Sequence, residues 1–271
     1  MLFRSFQGSN NFTLVAVTNF SSRLIFVLVV FFFLKNPESS WIYPAAGSLG
    51  TIIIGLALSK KHLTFKQSHL EFRRGINFFI SNISIAIYSG SSIFWISYLL
   101  GTSSVTTFSA AERIIFSIKG MLSLYSQVIY PQICSPDFAK AKKHIIKTHL
   151  IFVVLNAIGS LVLCVLAKDI IEFFVGGSSP SSVTTLQIMS FIPLIISINV
   201  YAYQWLIAHY HHVSIRNILL FGAIIGFVSY PIFIKMIGIL GASLVALGVE
   251  ILVTSCIIVS YLKLSRKHVP N

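Results

Sequence analysis

TTFSAAERIIFSIKGMLSLYSQVIYPQI, residues 106–133, decides how the rest of the chain is read. It is long enough and apolar enough to lie in a membrane, yet it carries Glu112, Arg113 and Lys119 near its middle. On a helical wheel at about 100° per residue, Ser109, Glu112, Arg113, Lys119, Gly120, Ser123, Ser126, Gln127 and Tyr130 share an arc of roughly 140°. Ile114, Ile115, Ile118, Met121, Leu122, Val128 and Ile129 fill the other side. A water-soluble amphipathic helix would show the same pattern, so the surrounding chain has to say which solvent each face meets.

The surroundings answer clearly. Of 271 residues, 55% are hydrophobic and 10% charged, and the mean hydropathy is +0.85. A soluble domain carries about 25% charged residues; this chain has too few to cover a surface against water. The class is an all-α polytopic membrane protein. The net charge of +13 does not point to nucleic acid, because the cations sit in short clusters between apolar runs, as in the cytoplasmic loops of membrane proteins. Cys134, Cys164 and Cys256 lie in or beside apolar segments without ligand-like spacing, so neither a disulfide framework nor a metal site is expected. The N-terminal MLFRSFQGSNN does not resemble a cleaved leader.

A bilayer crossing needs about 20 apolar residues. Eight segments meet that length, at residues 12–34, 41–58, 76–100, 106–133, 149–167, 184–210, 217–237 and 241–262. The loops on one side hold Arg4, Lys60, Lys61, Lys66, Arg73, Arg74, Lys140, Lys142, Lys143, Lys147, Arg216, Lys263, Arg266 and Lys267; the other side holds Lys35, Lys168 and Lys235. Positive residues mark the cytoplasmic side, so both termini are expected in the cytoplasm. Residues 168–183, KDIIEFFVGGSSPSSV, then form the largest outward loop.

Polar residues repeat at helical spacing elsewhere. Ser81, Ser84, Tyr88, Ser91, Ser92 and Trp95 form one stripe in the third segment; Ser190, Pro193, Ser197, Tyr201 and Gln204 form another in the sixth, where Pro193 is expected to kink the helix. Hydrogen bonding between helices explains one stripe alone; several stripes together with charges in the spans favour a shared aqueous cavity. Gly47, Thr51 and Gly55 make a small-residue packing face in the second segment. The last two segments echo the first two in layout, each pair a helix, a tight turn and a second helix opening with small residues.

Charge inside a bilayer costs about 2.5–3.5 kcal/mol per residue on insertion scales, so its presence needs a reason. Arg23, Glu112, Arg113, Lys119 and Glu250 all fall within apolar segments. Mutual pairing is one reason, Glu112 with Lys119 two turns on, or Glu250 with an arginine. For Arg23, Arg113 and Lys119 the reading is functional: three cations against two carboxylates leave positive charge to attract an anion such as a phosphate. Ser84, Tyr88, Ser109, Ser123, Gln127 and Gln204 are the candidate polar lining. Glu112 or Glu250 is the candidate for coupling to a proton or sodium ion. His209, His211 and His212 read as an interfacial cluster rather than metal ligands, having no carboxylate or cysteine beside them. The chain holds no phosphate-binding loop, nucleophile elbow or paired carboxylates spaced for hydrolysis, so neither a catalytic residue nor a cofactor is expected.

FSAAERIIFSIKGMLSLYSQVIYPQI resembles the eighth helix of Wzx-type flippases, the polysaccharide-export branch of the multidrug/oligosaccharidyl-lipid/polysaccharide exporter superfamily. The resemblance lies in Phe108-Ser109-Ala110-Ala111-Glu112-Arg113 at its start and in Ser126, Gln127, Tyr130 and Pro131 at its end. Phe6-Gln7-Gly8 and Ser22-Arg23-Leu24 are similar to the family's entry into its fifth helix, and GILGASLVALGVEILVT, residues 238–254, to its last. The resemblance implies two lobes of six helices that move an undecaprenyl-diphosphate-linked O-antigen or capsule repeat unit across the bacterial inner membrane. The eight segments then correspond to helices five to twelve, with residues 1–73 holding the end of a first lobe and its basic linker and residues 74–271 a whole second lobe. A truncated product lacking helices one to four is the matching expectation. Implied partners are the lipid-linked glycan, membrane lipid, and a polymerase with its chain-length machinery. A multidrug exporter of the same superfamily, a membrane remnant that transports nothing and a lipid-modifying membrane enzyme are the alternatives.

Overall fold

The computed structural model describes residues 69–177 and 179–266, and all regular structure within them is α-helical. In chain order the helices are α1 His69–Leu100, α2 Thr102–Cys134, α3 Phe138–Val165, α4 Ala167–Val175, α5 Pro180–Met189, α6 Ile192–Ala208, α7 His212–Ile237 and α8 Ile239–Ser265. The chain divides into two compact units, Met1–Phe72 and Arg73–Asn271, and everything below lies in the second. The expected segments at 12–34 and 41–58, the Gly47, Thr51 and Gly55 face and Arg23 lie outside the described residues.

Five stretches are long and apolar enough to cross a membrane: Ile76–Leu100, Lys140–Val165, Pro180–Ala208, His212–Ile237 and Ile239–Ser265. The protein is therefore a membrane protein. α2 is not among the five, because its polar and charged face dilutes its hydropathy.

Several boundaries differ from expectation: α1 begins at His69 rather than residue 76 and α7 at His212 rather than 217, and two further differences matter more. α3 begins at Phe138 rather than near residue 149, because Lys140, Lys142, Lys143 and Lys147 form its exposed first turns instead of a loop. Lysine is a good helix former, and a charge run that ends an apolar stretch need not end a helix. The expected outward loop at 168–183 also holds structure: α4 occupies its first half, and α5 starts at Pro180, where the Ser179 hydroxyl accepts the Ser182 backbone N–H at 3.1 Å. The expected bend at Pro193 takes the form of a break between α5 and α6 at Ser190–Phe191. Proline has no N–H to bond four residues back, here to Met189.

α6 runs through the middle of this unit and packs on α2, α3, α7 and α8. α2 turns an apolar stripe toward it: Phe108, Ala111, Ile115, Leu122, Ile129 and Ile133 are buried at steps of three, four or seven residues. Asn199 on α6 donates a buried side-chain hydrogen bond to the Thr254 hydroxyl on α8. α7 and α8 meet through a turn in which Gly238 has φ 66°, and a side chain on Gly241 would collide with the Phe233 carbonyl. Only glycine lets the second helix start so close to the end of the first. α1 lies on α7: Tyr230 Oη donates to the Tyr88 carbonyl at 3.3 Å, Trp95 meets Phe227, and Arg216 Nη1 donates to Asn77 Oδ1 at 2.9 Å.

Candidate functional site

The charges in α2 sort by the neighbours they can reach. Residues 112 and 119 are two turns apart, about 10 Å along a helix axis. The expected Glu112–Lys119 pair does not form, and each side chain turns to a different helix. Ser92 Oγ on α1 donates to Glu112 Oε1 at 3.2 Å. Lys119 Nζ crosses to α8 and meets Glu250 Oε1 at 2.7 Å. Mutual pairing of the buried charges thus holds for Glu250, with a lysine in place of the arginine offered as its example. Its side chain is 5% exposed against 29% for Lys119, so the carboxylate is the deeply desolvated partner. Among the described residues Arg113 has no carboxylate at ion-pair distance, and it is exposed.

These groups surround one cavity of about 600 Å³ between α1, α2, α8 and the α5–α6 break. Tyr88, Ser109, Glu112, Arg113, Lys119 and Glu250 supply its polar wall, and Ile93, Phe116, Met189 and Ile192 its apolar wall. The cavity's four charged residues, Arg113, Lys119, Glu112 and Glu250, are two cations and two carboxylates. The surplus cation of the sequence reading, Arg23, lies outside the described residues. A cavity with a guanidinium that has no carboxylate partner among the described residues, a hydroxyl rim and an apolar flank is suited to a group that is anionic at one end and greasy at the other.

Four of the expected lining residues are elsewhere. Ser84 is buried and donates to its own helix at the Ile80 carbonyl, 2.8 Å away. Ser81 likewise bonds the Asn77 carbonyl at 2.8 Å. The α1 stripe is thus partly internal packing, with only Tyr88 reaching the cavity. Ser123 is exposed and donates to the Gly120 carbonyl at 2.7 Å. Gln127 is half-buried, and Gln204 is buried in α6; neither lines the cavity.

The sequence reading gave no role to the apolar wall or to an aromatic seam between α2, α3, α6 and α8. In that seam Tyr125 stacks on Phe152 at 3.7 Å between ring centres, Tyr125 Oη lies 3.4 Å from His149 Nδ1, and Tyr201 and Trp205 meet Tyr261. His209 and His211 stack on Trp205, and His212 meets Phe78 at a tilt of 53°. Among the described residues no three His, Cys, Asp or Glu side chains converge as metal ligands do.

A family model described as "Polysaccharide biosynthesis protein" matches residues 2–135, from the N-terminal region to the end of α2. Over those residues the chain is similar to the polysaccharide biosynthesis protein family. Two relatives bear the name "Putative O-antigen transporter". One, from Escherichia coli strain K12, is 25% identical over 264 residues, 92% of this chain and 64% of the relative. The other, from Shigella dysenteriae, is 24% identical over 216 residues, 74% of this chain and 54% of the relative. The chain therefore spans less than two thirds of either relative. No solved structure matches it significantly.

Proposed function

We propose that this protein takes part in moving an undecaprenyl-diphosphate-linked oligosaccharide, an O-antigen or capsule repeat unit, across the bacterial inner membrane. The observation that carries the reading is Arg113: an exposed guanidinium without a carboxylate partner among the described residues, in a cavity with an apolar flank. The names of the two relatives support the substrate class. In this reading Arg113 receives the diphosphate first, and Lys119 joins it when released from Glu250. Tyr88 and Ser109 meet sugar hydroxyls, while Glu112 or Glu250 couples the cycle to an ion. α2 serves as a sixth crossing beside the five apolar ones, since it connects two of them. Residues 74–271 then form one six-helix lobe of a two-lobe carrier, with the 1–73 region belonging to the other and both termini in the cytoplasm. A polymerase with its chain-length machinery receives the product.

Cation export by the same superfamily is the second reading, favoured by the two carboxylates in the cavity. It is the weaker one, because Glu250 is already neutralised by Lys119 and Arg113 adjoins Glu112. Complementation separates the two. The chain is expressed in a strain lacking its own repeat-unit flippase, alone and joined to the N-terminal helices of the E. coli relative. Surface polysaccharide is expected to return in at least one arm and to fall about tenfold in Arg113→Ala, as loss of ~1.4 kcal/mol of anion binding requires. Wild-type polymer from Arg113→Ala refutes the role given to that residue.

A further inference from the structure

α4 is the one described helix whose size and chemistry fit neither a span nor a water-facing connection. Its nine residues, Ala167–Val175, cover about 13 Å, far short of the ~30 Å hydrocarbon core. At about 100° per residue its side chains sort into three sectors. Ala167 and Ile171 point inward and are fully buried. Lys168, Asp169 and Glu172 share a second sector and are exposed. Phe173 and Phe174 occupy the third, 84% and 69% exposed, with Ile170 between them on the wheel and partly buried. Two adjacent phenylalanines left bare on a helix are costly in water.

The surface on which they sit continues from a lipid-facing one. A single residue, Leu166, separates α4 from the apolar span α3, and Leu161, Val165 and Leu166 at the end of that span are 60%, 71% and 43% exposed. From these observations we infer that α4 lies in the plane of the membrane interface, with Phe173 and Phe174 inserted among the upper acyl chains of phospholipid and Lys168, Asp169 and Glu172 among headgroups and water. Separation into an apolar and a charged flank on one short helix is the signature of such a segment. Because Ala167 and Ile171 are buried where α4 packs on α5 and α2, the lipid-held helix fixes the depth of the cavity helix α2 and of the α5–α6 break while other parts of the protein move.

Nitroxide accessibility in lipid vesicles tests this on the full chain, with Cys134, Cys164 and Cys256 replaced by serine and single labels at Lys168→Cys, Glu172→Cys, Phe173→Cys or Phe174→Cys. Labels at 173 and 174 are expected to collide several-fold more with oxygen, which concentrates in lipid, than with a water-soluble nickel chelate. Labels at 168 and 172 are expected to show the reverse. As a second readout, Phe173→Trp and Phe174→Trp fluorescence is expected to be quenched by lipids brominated near the headgroup more than by lipids brominated near the chain end. Equal nickel access at all four sites places α4 in water and overturns the inference. Shielding of 173 and 174 from both agents, with no bromine quenching, means a second protein surface covers them and overturns it equally.

Discussion

Lys119 and Glu250 give the sharpest test of the site because the two ends of their bond are buried unequally. Removing the lysine as Lys119→Met leaves a carboxylate that is 5% exposed without its counter-charge. Breaking a buried pair by removing one partner costs about 3–5 kcal/mol, because the remaining charge is left uncompensated. Removing the carboxylate as Glu250→Gln instead leaves Lys119, 29% exposed and lining the cavity, free to turn its ammonium toward water. That loss should be about 1 kcal/mol. The double variant has no stranded carboxylate and should resemble Glu250→Gln. At 2–4 °C per kcal/mol for a chain of this size, Lys119→Met should lower Tm by roughly 6–20 °C and Glu250→Gln by about 2–4 °C. Thermal unfolding of the purified protein in detergent, followed by circular dichroism, reads all of this. Equal losses in the two single variants, or a double variant as unstable as the sum of both, would refute the reasoning.

Two further outcomes test the packing and the cavity. Gly241→Ala should cost about 1–3 kcal/mol, since its new methyl meets the Phe233 carbonyl at the α7–α8 turn; Gly248→Ala, with nothing within 4 Å of the new methyl, should be neutral or gain up to ~1 kcal/mol from helix propensity, and thermal melts of the two variants check both. With the three native cysteines replaced, Arg113→Cys and Ser109→Cys should react quickly with a charged, water-soluble thiol reagent and Leu155→Cys, 61% exposed on the apolar face of α3, slowly; similar rates at all three positions mean the cavity is not wet.

The parts of the fold legible in the sequence are those set by solvent. The span Ile76–Leu100 is legible because a run free of charged residues follows Arg74 and ends at a glycine, although its helix starts seven residues earlier, at His69. The start of α3 was hidden because a lysine cluster signals the edge of a bilayer and says nothing about where a helix stops. α4 was read as loop for a similar reason: nine residues with three charges are too short to span and lie beside a Gly-Gly-Ser-Ser-Pro run. In the site, the periodicity of α2 placed Ser109, Glu112, Arg113 and Lys119 together, and all four line the cavity. Periodicity names a face but not its neighbour, which is why Ser84 and Gln204 were assigned to a cavity when both are buried in packing. The Lys119–Glu250 bond joins residues 131 apart in sequence, and spacing carries no trace of it.

That bond also changes how an anion would be received. On composition alone, three cations against two carboxylates make a site waiting for phosphate. In the structure the two cations and two carboxylates of the cavity balance, and Lys119 is already bound. On the proposed reading a diphosphate meets Arg113 first and gains Lys119 only by displacing Glu250, whose buried carboxylate must then find a proton or a cation. In that proposal substrate binding and ion uptake are linked through one carboxylate, and the coupling is reciprocal: whatever neutralises Glu250 also frees Lys119 for the substrate. Glu250→Gln makes that release permanent. On that reading it should hold a diphosphate lipid more tightly than the parent protein yet transport poorly, because nothing remains to draw the lysine back and let the substrate go.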